Sequence, residues 1–295
     1  LEPSSPRTRE SRFFCLLRKI GRSGIPAFAG MTVASCSSPP PSASDRIVST
    51  NPCLDAILVD IAPERIAALS HWSHDPRASS IPQAVARRFP ATQGTAEEVI
   101  ALRPGLVLAS SFTSPATLAA YRRLGLKVER FGIPSTLGEN RAQIRAVARA
   151  AGVPARGEAL IARIDRAVAE AAPRDARRPT TLLWLGGSNL VTGHGTLIDE
   201  MMTRAGLSNA SAGYGLRFTG VLPLEHVVAR PPALVLTPAA EPGESGEARR
   251  TALRLRALPR TARIGRFPPD LFFCGGPSVI PAMRRLAEVR AEALR

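Results

Sequence analysis

Thr95-Ala96-Glu97-Glu98-Val99-Ile100-Ala101-Leu102-Arg103-Pro104-Gly105-Leu106-Val107-Leu108-Ala109 aligns without a gap on Pro223-Leu224-Glu225-His226-Val227-Val228-Ala229-Arg230-Pro231-Pro232-Ala233-Leu234-Val235-Leu236-Thr237. Each stretch opens with helix formers around a glutamate, turns at proline and ends in an apolar run of strand length. A helix, a proline-marked turn and a buried strand therefore occur twice, once in each half of the chain. Such a repeat builds an α/β fold of two similar lobes, each a mostly parallel sheet covered by helices. Glu97 falls opposite Glu225, each in the first turn of its helix, where the helix dipole favours a carboxylate. The residues alone leave two readings of that pair, helix stabilisation or a surface function.

Working outward, short β-branched runs alternate with helical stretches from Arg46 onward. Strands are predicted at 47–50, 66–69, 106–109 and 128–131, and helices near 53–61, 95–103, 115–124 and 139–151, which make an N-terminal lobe over 46–153. Gly157 to Ala171 is an uninterrupted amphipathic pattern, with Leu160, Ile161, Ile164 and Val168 on one face. It stops at Pro173, so residues 154–174 are expected to form a long, rigid spine helix between the lobes. The C-terminal lobe, 175–295, opens with the strand Thr180-Thr181-Leu182-Leu183-Trp184-Leu185, continues through a helix at 197–205 and closes with a helix from about 278 to 294.

Composition narrows the function. The chain has 295 residues, 44% of them hydrophobic, enough for a substantial core. Past residue 45 no apolar run reaches the roughly 18 residues that span a bilayer. The formal charge of +15 raises nucleic-acid binding, but the arginines are dispersed and aromatics make up only 5%, too few for a base-stacking surface. Nucleic acid is accordingly excluded as a partner. Cys15, Cys36, Cys53 and Cys274 include no C-x-x-C pair, so no resident metal or cluster and no cofactor is expected. Cys53 and Cys274 could pair in an oxidising compartment, and two free thiols are an equal alternative.

Residues 1–45 lack helical or strand periodicity and read as a disordered leader or tether. Gly24 to Thr32 has the character of a translated intergenic repeat, which puts the expected natural start farther downstream. Val33-Ala34-Ser35-Cys36 fits a lipobox, in which cleavage before Cys36 lets its sulfur carry a lipid; the alternative is an incidental cysteine in a disordered tail.

Enzyme motifs fail individually. Gly186-Gly187-Ser188-Asn189-Leu190 has Leu190 where a G-x-S-x-G nucleophile elbow needs its second glycine. Gly193-His194-Gly195-Thr196-Leu197-Ile198 supplies two glycines of a dinucleotide fingerprint but has Ile198 where the third belongs. One cysteine per lobe excludes iron–sulfur chemistry. No catalytic residue is assigned, and an α/β enzyme acting on a small molecule in the inter-lobe cleft is the alternative function.

The opening Arg46-Ile47-Val48-Ser49-Thr50-Asn51-Pro52, the Glu97 element, Leu124-Gly125-Leu126-Lys127-Val128, the spine, Gly193-His194-Gly195-Thr196-Leu197-Ile198-Asp199 and the Glu225 element occur in this order. Together they resemble the class III periplasmic substrate-binding proteins of ABC importers, specifically the cobalamin and ferric-siderophore group. The resemblance runs from Arg46 to about Ala293. It implies a monomer that captures a metal chelate or corrinoid between lobes that close little on ligand, and that delivers it to an inner-membrane permease dimer with its ATPase. It implies a periplasmic location, with or without a lipid anchor, and docking of Glu97 and Glu225 on permease arginines. The family's cobalamin binder has tryptophan just before the Gln93-Gly94 position. Thr92 stands there instead, which counts against cobalamin and leaves a siderophore, haem or another chelate.

In such folds the ligand lies against the carboxyl ends of the strands and the loops that follow. Aromatics are scarce, yet Trp72, Phe112, Tyr214, Phe218, Phe272 and Phe273 all fall in those loops, where flat rings suit a macrocycle or aryl ligand. Core packing is the competing role for any one of them. Arg217 is a candidate clamp for a carboxylate or phosphate, or else a solvated arginine. Asn189 belongs to another strand-end loop, and His71 and His74 are spaced to approach a metal carried by the ligand. The expected ligand-binding set is Trp72, His74, Phe112, Asn189, Tyr214, Arg217, Phe218 and Phe273.

Overall fold

A computed structural model describes residues 45–186, 189–238, 253, 255–259 and 261–295. Cys36, the remainder of the leader through residue 44, and Gly187 and Ser188 lie outside the described residues.

The N-terminal sheet comprises β1 (Ile47–Ser49), β2 (Ile66–Ser70), β3 (Ala91–Thr92), β4 (Leu106–Ser110) and β5 (Val128–Phe131), all parallel, in the order β3-β2-β1-β4-β5. The second sheet comprises β6 (Thr180–Gly186), β7 (Leu190–Val191), β8 (Ser208–Asn209), β9 (Gly220–Val221), β10 (Leu234–Thr237) and β11 (Arg263–Arg266). Its order is β11-β10-β6-β7-β9, with β8 also paired to β6. Strands β6, β10, β11 and β8 are parallel; β7 and β9 are antiparallel.

The helices are α1 (Pro52–Ile61), α2 (Gln83–Ala86), α3 (Ala96–Ala101), α4 (Pro115–Arg123), α5 (Leu137–Ala150), α6 (Pro154–Glu170), α7 (Leu197–Arg204), α8 (Leu224–Ala229) and α9 (Val279–Ala293). Local chemistry fixes their starts. Asn51 caps α1 by accepting from the Cys53 and Leu54 amides at 3.0 and 3.3 Å. Thr95, Thr136 and Thr196 each cap with the hydroxyl, accepting from the amides of Glu98, Glu139 and Asp199 three residues on. The spine α6 begins one turn earlier than its apolar periodicity indicates, because Pro154 is favoured at a first helical position.

The repeated element is a structural repeat. Segment α3–β4 places β4 between β1 and β5, and α8–β10 places β10 between β6 and β11. In both strands the Leu-Val-Leu run alternates between two faces. Leu106, Leu108, Leu234 and Leu236 all enter one central core, together with Leu160, Ile161 and Ile164 of the spine. Val107 and Val235 instead enter separate outer cores, where Val99 and Val227 meet them from α3 and α8. One hydrophobic cluster therefore runs from the N-terminal sheet through α6 to the C-terminal sheet. Relative motion of the lobes must work against that shared core, since packed interiors resist continuous deformation.

Candidate ligand cleft

A cavity of about 540 Å³ lies between the two sheets, lined from both halves of the chain. The N-terminal half contributes the loops after β4 and β5, with Phe112 and Ile133; the C-terminal half contributes the start of α7, the segment before β9 with Phe218, and Phe272–Gly275. Four large apolar side chains are left open to solvent around it: Phe112 at 76%, Ile133 at 67%, Phe218 at 63% and Phe273 at 41% exposure. A soluble protein rarely gathers exposed apolar groups in one concave place without a ligand to cover them.

Phe218 is held against its own preference. Its φ is 56°, in the left-handed region that a bulky residue seldom occupies. Its backbone is pinned from the other side of the turn: the Phe218 amide donates to the His194 carbonyl at 2.9 Å. A Cβ on Gly193 would fall 1.3 Å from the Phe218 carbonyl oxygen, so only glycine permits this approach. Strain of this sort collects where a side chain must be presented in one direction.

The cleft floor is stitched across the lobes. Cys53, at the start of α1, is disulfide-bonded to Cys274, with Cα atoms 5.0 Å apart, and both line the cavity. Buried Asn140 of α5 accepts from the Gly276 amide at 2.7 Å. A Cβ on Gly275 would meet the same Asn140 oxygen at 2.4 Å. The Leu137 amide donates to Glu200 of α7 at 2.7 Å.

A side chamber of about 520 Å³ opens from the same strand ends and shares Asn51, Ser110 and Phe112 with the main cavity. Trp72, Gln93, Thr117 and Tyr121 complete its character. Trp72 rides on a 3₁₀ turn, His71–His74, that is fastened from below by Asp55 of α1. The fully buried Asp55 accepts from the Ser70 amide at 2.9 Å and from the Ser73 hydroxyl at 2.6 Å. Burial pushes the Asp55 carboxyl up to about 8, against the lowering effect of the hydrogen-bonding groups of Ser49, Ser73 and Ser70.

Of the residues expected to meet ligand, Phe112, Phe218 and Phe273 line the main cavity, and Trp72 joins Phe112 in the side chamber. His74, Asn189, Tyr214 and Arg217 line neither. Tyr214 donates its hydroxyl to the Arg230 carbonyl, has the Arg230 guanidinium over its ring and packs against the outer C-terminal core. Asn189 has φ of 58° in the turn between β6 and β7, and its carbonyl accepts from the Leu222 amide. Arg217 is exposed and bridges to His194 through the backbone. The buried Nδ1 of His71 and Nε2 of His74 have no hydrogen-bond partner. Among the described residues no group of three or more His, Cys, Asp or Glu side chains could hold a metal ion.

Sequence reasoning overlooked Ile133, Thr192 and the start of α7. Ile133 follows the predicted strand 128–131, so the rule that selected the other strand-end loops points to it as well. Glu97 and Glu225 are exposed, and neither makes a hydrogen bond or ion pair among the described residues. It is the neighbouring Glu98 that accepts from the Thr92 hydroxyl and the Gln93 amide, each at 2.7 Å.

The sequence profile of a family described as periplasmic binding protein matches residues 47–250. No curated protein matches the sequence. Among solved structures, the fold is similar to the periplasmic heme-binding protein RhuT of Roseiflexus sp. RS-1 in apo form, with 26% identity, a TM-score of 0.66 and coverage of 85% of this chain and 99% of that one. It is similar in fold to a periplasmic heme-binding protein of Pseudomonas aeruginosa, with 23% identity, a TM-score of 0.64 and coverage of 83% and 92%. The vitamin B12 binding protein BtuF of Vibrio cholerae shares the fold at 18% identity, with a TM-score of 0.64 and coverage of 85% and 98%. The family and these neighbours are binding proteins, not enzymes, and the chain belongs to the periplasmic binding protein family.

Proposed function

We propose that this chain is the periplasmic substrate-binding component of an ABC importer and captures a metal chelate or corrinoid in the cleft between its sheets. The observation that carries this reading is the convergence of exposed Phe112 and Ile133 from one half and Phe218 and Phe273 from the other on a single cavity. Rings and branched apolar groups facing each other across a slot suit a broad, largely apolar ligand. The shared core, the spine and the bonded floor favour a pre-formed cleft, which lowers the ordering cost of binding.

Glu97 and Glu225 fit the delivery step. Gly94, just before α3, lies against Thr50 at the carboxyl end of β1; Leu222, just before α8, bonds to Asn189 after β6. Both glutamates thus begin their helices at the strand edge that also carries the cavity, one per lobe. An exposed, unpaired acid on each lobe would orient the protein on a permease with matching arginines and speed encounter more than it would tighten binding.

Intrinsic fluorescence tests capture directly. Trp72 is half-exposed in the side chamber and Trp184 is buried, so quenching on titration with haemin, cyanocobalamin and ferric siderophores reports mainly on the cleft. Saturable one-to-one binding of at least one of them is expected, weakened roughly tenfold or more in Phe112→Ala and Phe218→Ala, a loss of about 1.4 kcal/mol or more each. Failure of every chelate to bind the folded protein overturns the reading. In reconstituted transport, Glu97→Arg with Glu225→Arg should abolish uptake while leaving capture unchanged.

A further inference from the structure

In a chain with 39 Lys and Arg residues, no described residue lining the main cavity is Asp, Glu, His, Lys or Arg. The same holds for the side chamber. The lining offers phenyl rings, aliphatic carbons, the Met201 thioether and a disulfide, together with hydroxyls and amides such as Ser110, Thr192, Thr219 and Asn51. Tyr121 in the side chamber is engaged as a donor to the Gly94 carbonyl at 2.6 Å, and burial, aided by nearby Glu98, pushes its phenol up, which keeps it neutral. His71, next to Trp72, keeps a buried and unpartnered Nδ1 but does not line the side chamber; several ionisable groups nearest in sequence to the main cavity's lining are already engaged. His194 Nδ1 lies 2.9 Å from Asp199, which also accepts from the Gly195 amide and Asn209. Arg130 donates to the Ser111 carbonyl at 3.2 Å, and Arg217 is exposed and does not line the cavity.

Two consequences follow from elementary electrostatics. Among the described residues, a charge taken into this cleft meets no counter-ion in the lining, and whatever hydration it loses there is not recovered. Among the described lining residues a metal centre with an open coordination position finds no imidazole, phenolate, carboxylate or thiolate, because the two lining cysteines are bonded to each other, and the one thioether there, that of Met201, is buried in the wall. From the absence of both we infer that the cleft selects an electroneutral chelate whose metal is already fully coordinated, its apolar body between the phenylalanines and an uncharged hydrogen-bonding arm in the Trp72 chamber. This inference rests on the capture function proposed above and narrows it. Hydroxyls and amides can satisfy such an arm without the desolvation cost of a charge.

The test is a competition of four probes on the full chain: ferrichrome, a neutral ferric trihydroxamate; cyanocobalamin, neutral and coordinatively saturated; a ferric tris-catecholate trianion; and haemin, which carries propionates and an open axial position. At least one neutral probe should bind roughly a hundredfold tighter than the trianion and haemin, and haemin should show no Soret shift of the kind that axial ligation produces. Thr219→Arg, checked for native folding by circular dichroism, should raise affinity for the trianion and lower it for the neutral probe. Binding of haemin or the trianion as tight as that of the neutral probes overturns the inference while leaving the capture function intact. If no probe binds the folded protein, both fall.

Discussion

Each lobe has a half that repeats and a half that does not. The strands β1-β4-β5 and β6-β10-β11 share order, direction and even the Leu-Val-Leu pattern that divides the central core from the outer ones. On the other side of β1 the sheet continues in parallel through β2 and β3; on the other side of β6 it turns antiparallel through β7 and β9. The repeated halves build the frame. The divergent halves carry Trp72 in one lobe and the strained Phe218 in the other. Duplicated packing fixes where the cleft lies, and unduplicated loops decide what its walls present.

The sharpest break of this comparison is at the glycines that support each wall. Gly193→Ala puts a Cβ onto the Phe218 carbonyl, and no side-chain movement can relieve a clash with backbone. A loss of about 3 kcal/mol or more in urea unfolding is expected, with ligand capture lost as Phe218 is displaced. The counterpart in the N-terminal wall is Gly94, at φ 76°, whose added Cβ would meet side chains alone, the Thr50 methyl at 3.2 Å, the Thr50 Cβ at 3.4 Å and the Tyr121 hydroxyl at 3.6 Å. Gly94→Ala should cost about 1 to 2 kcal/mol, chiefly from the left-handed backbone. Equal losses at the two sites would show that the C-terminal wall is no more tightly constrained than the N-terminal one.

Next in size is the pair of buried aspartates. Asp55 and Asp199 each sit near the start of a helix, α1 after β1 and α7 after β7, and each ties down a cleft loop. Asp199 accepts from the Gly195 amide, from Asn209 and from the His194 side. Asp55 accepts from Ser70 and Ser73 through a single oxygen, Oδ2. Its carboxyl, raised by burial from 3.8 to about 8, keeps its proton in the folded state where the unfolded chain has lost it. Its contribution to stability is therefore full below about pH 4 and falls as pH rises toward 8, by up to about 1.4 kcal/mol per unit. Asp55→Asn should abolish that slope in the variant, so the stability difference between variant and wild type should move in the variant's favour, by up to about 1.4 kcal/mol per unit, in unfolding measured from pH 5 to 8. Asp199→Asn, which discards an acceptor, should cost about 1 to 3 kcal/mol.

How much of this was legible in the sequence follows the same division. The repeated frame could be read because Leu106-Val107-Leu108 and Leu234-Val235-Leu236 announce their strands by local alternation, and Thr95, Thr136 and Thr196 announce their helices by local capping. Phe112 was legible because it directly follows such a strand. Tyr214 shares that loop chemistry, yet a tertiary partner, the Arg230 carbonyl, draws it into lobe packing. Asn189 and Arg217 belong to the divergent half, where turn geometry rather than periodicity sets position. The left-handed φ of Phe218 depends on a close approach to Gly193, and the Cys53–Cys274 bond depends on the lobes being brought together; neither is encoded within a window of neighbouring residues.

The smallest effect, and the most specific, is one of sign. Phe218 and Phe112 both expose most of the ring to the cleft, so removing either ring sacrifices little buried surface. They differ in backbone: Phe218 occupies the left-handed region, whereas Phe112 does not. Glycine relieves the first conformation and only loosens the unfolded chain in the second. Phe218→Gly should therefore leave stability unchanged or raise it by up to about 1 kcal/mol, while Phe112→Gly should lower it by about 0.5 to 1 kcal/mol, and both should weaken ligand capture. A stabilised protein that binds poorly is the signature of a residue held in strain to meet a ligand. If Phe218→Gly instead loses stability, the Phe218 ring supports the lobe, and the wall of the cleft is built by packing alone.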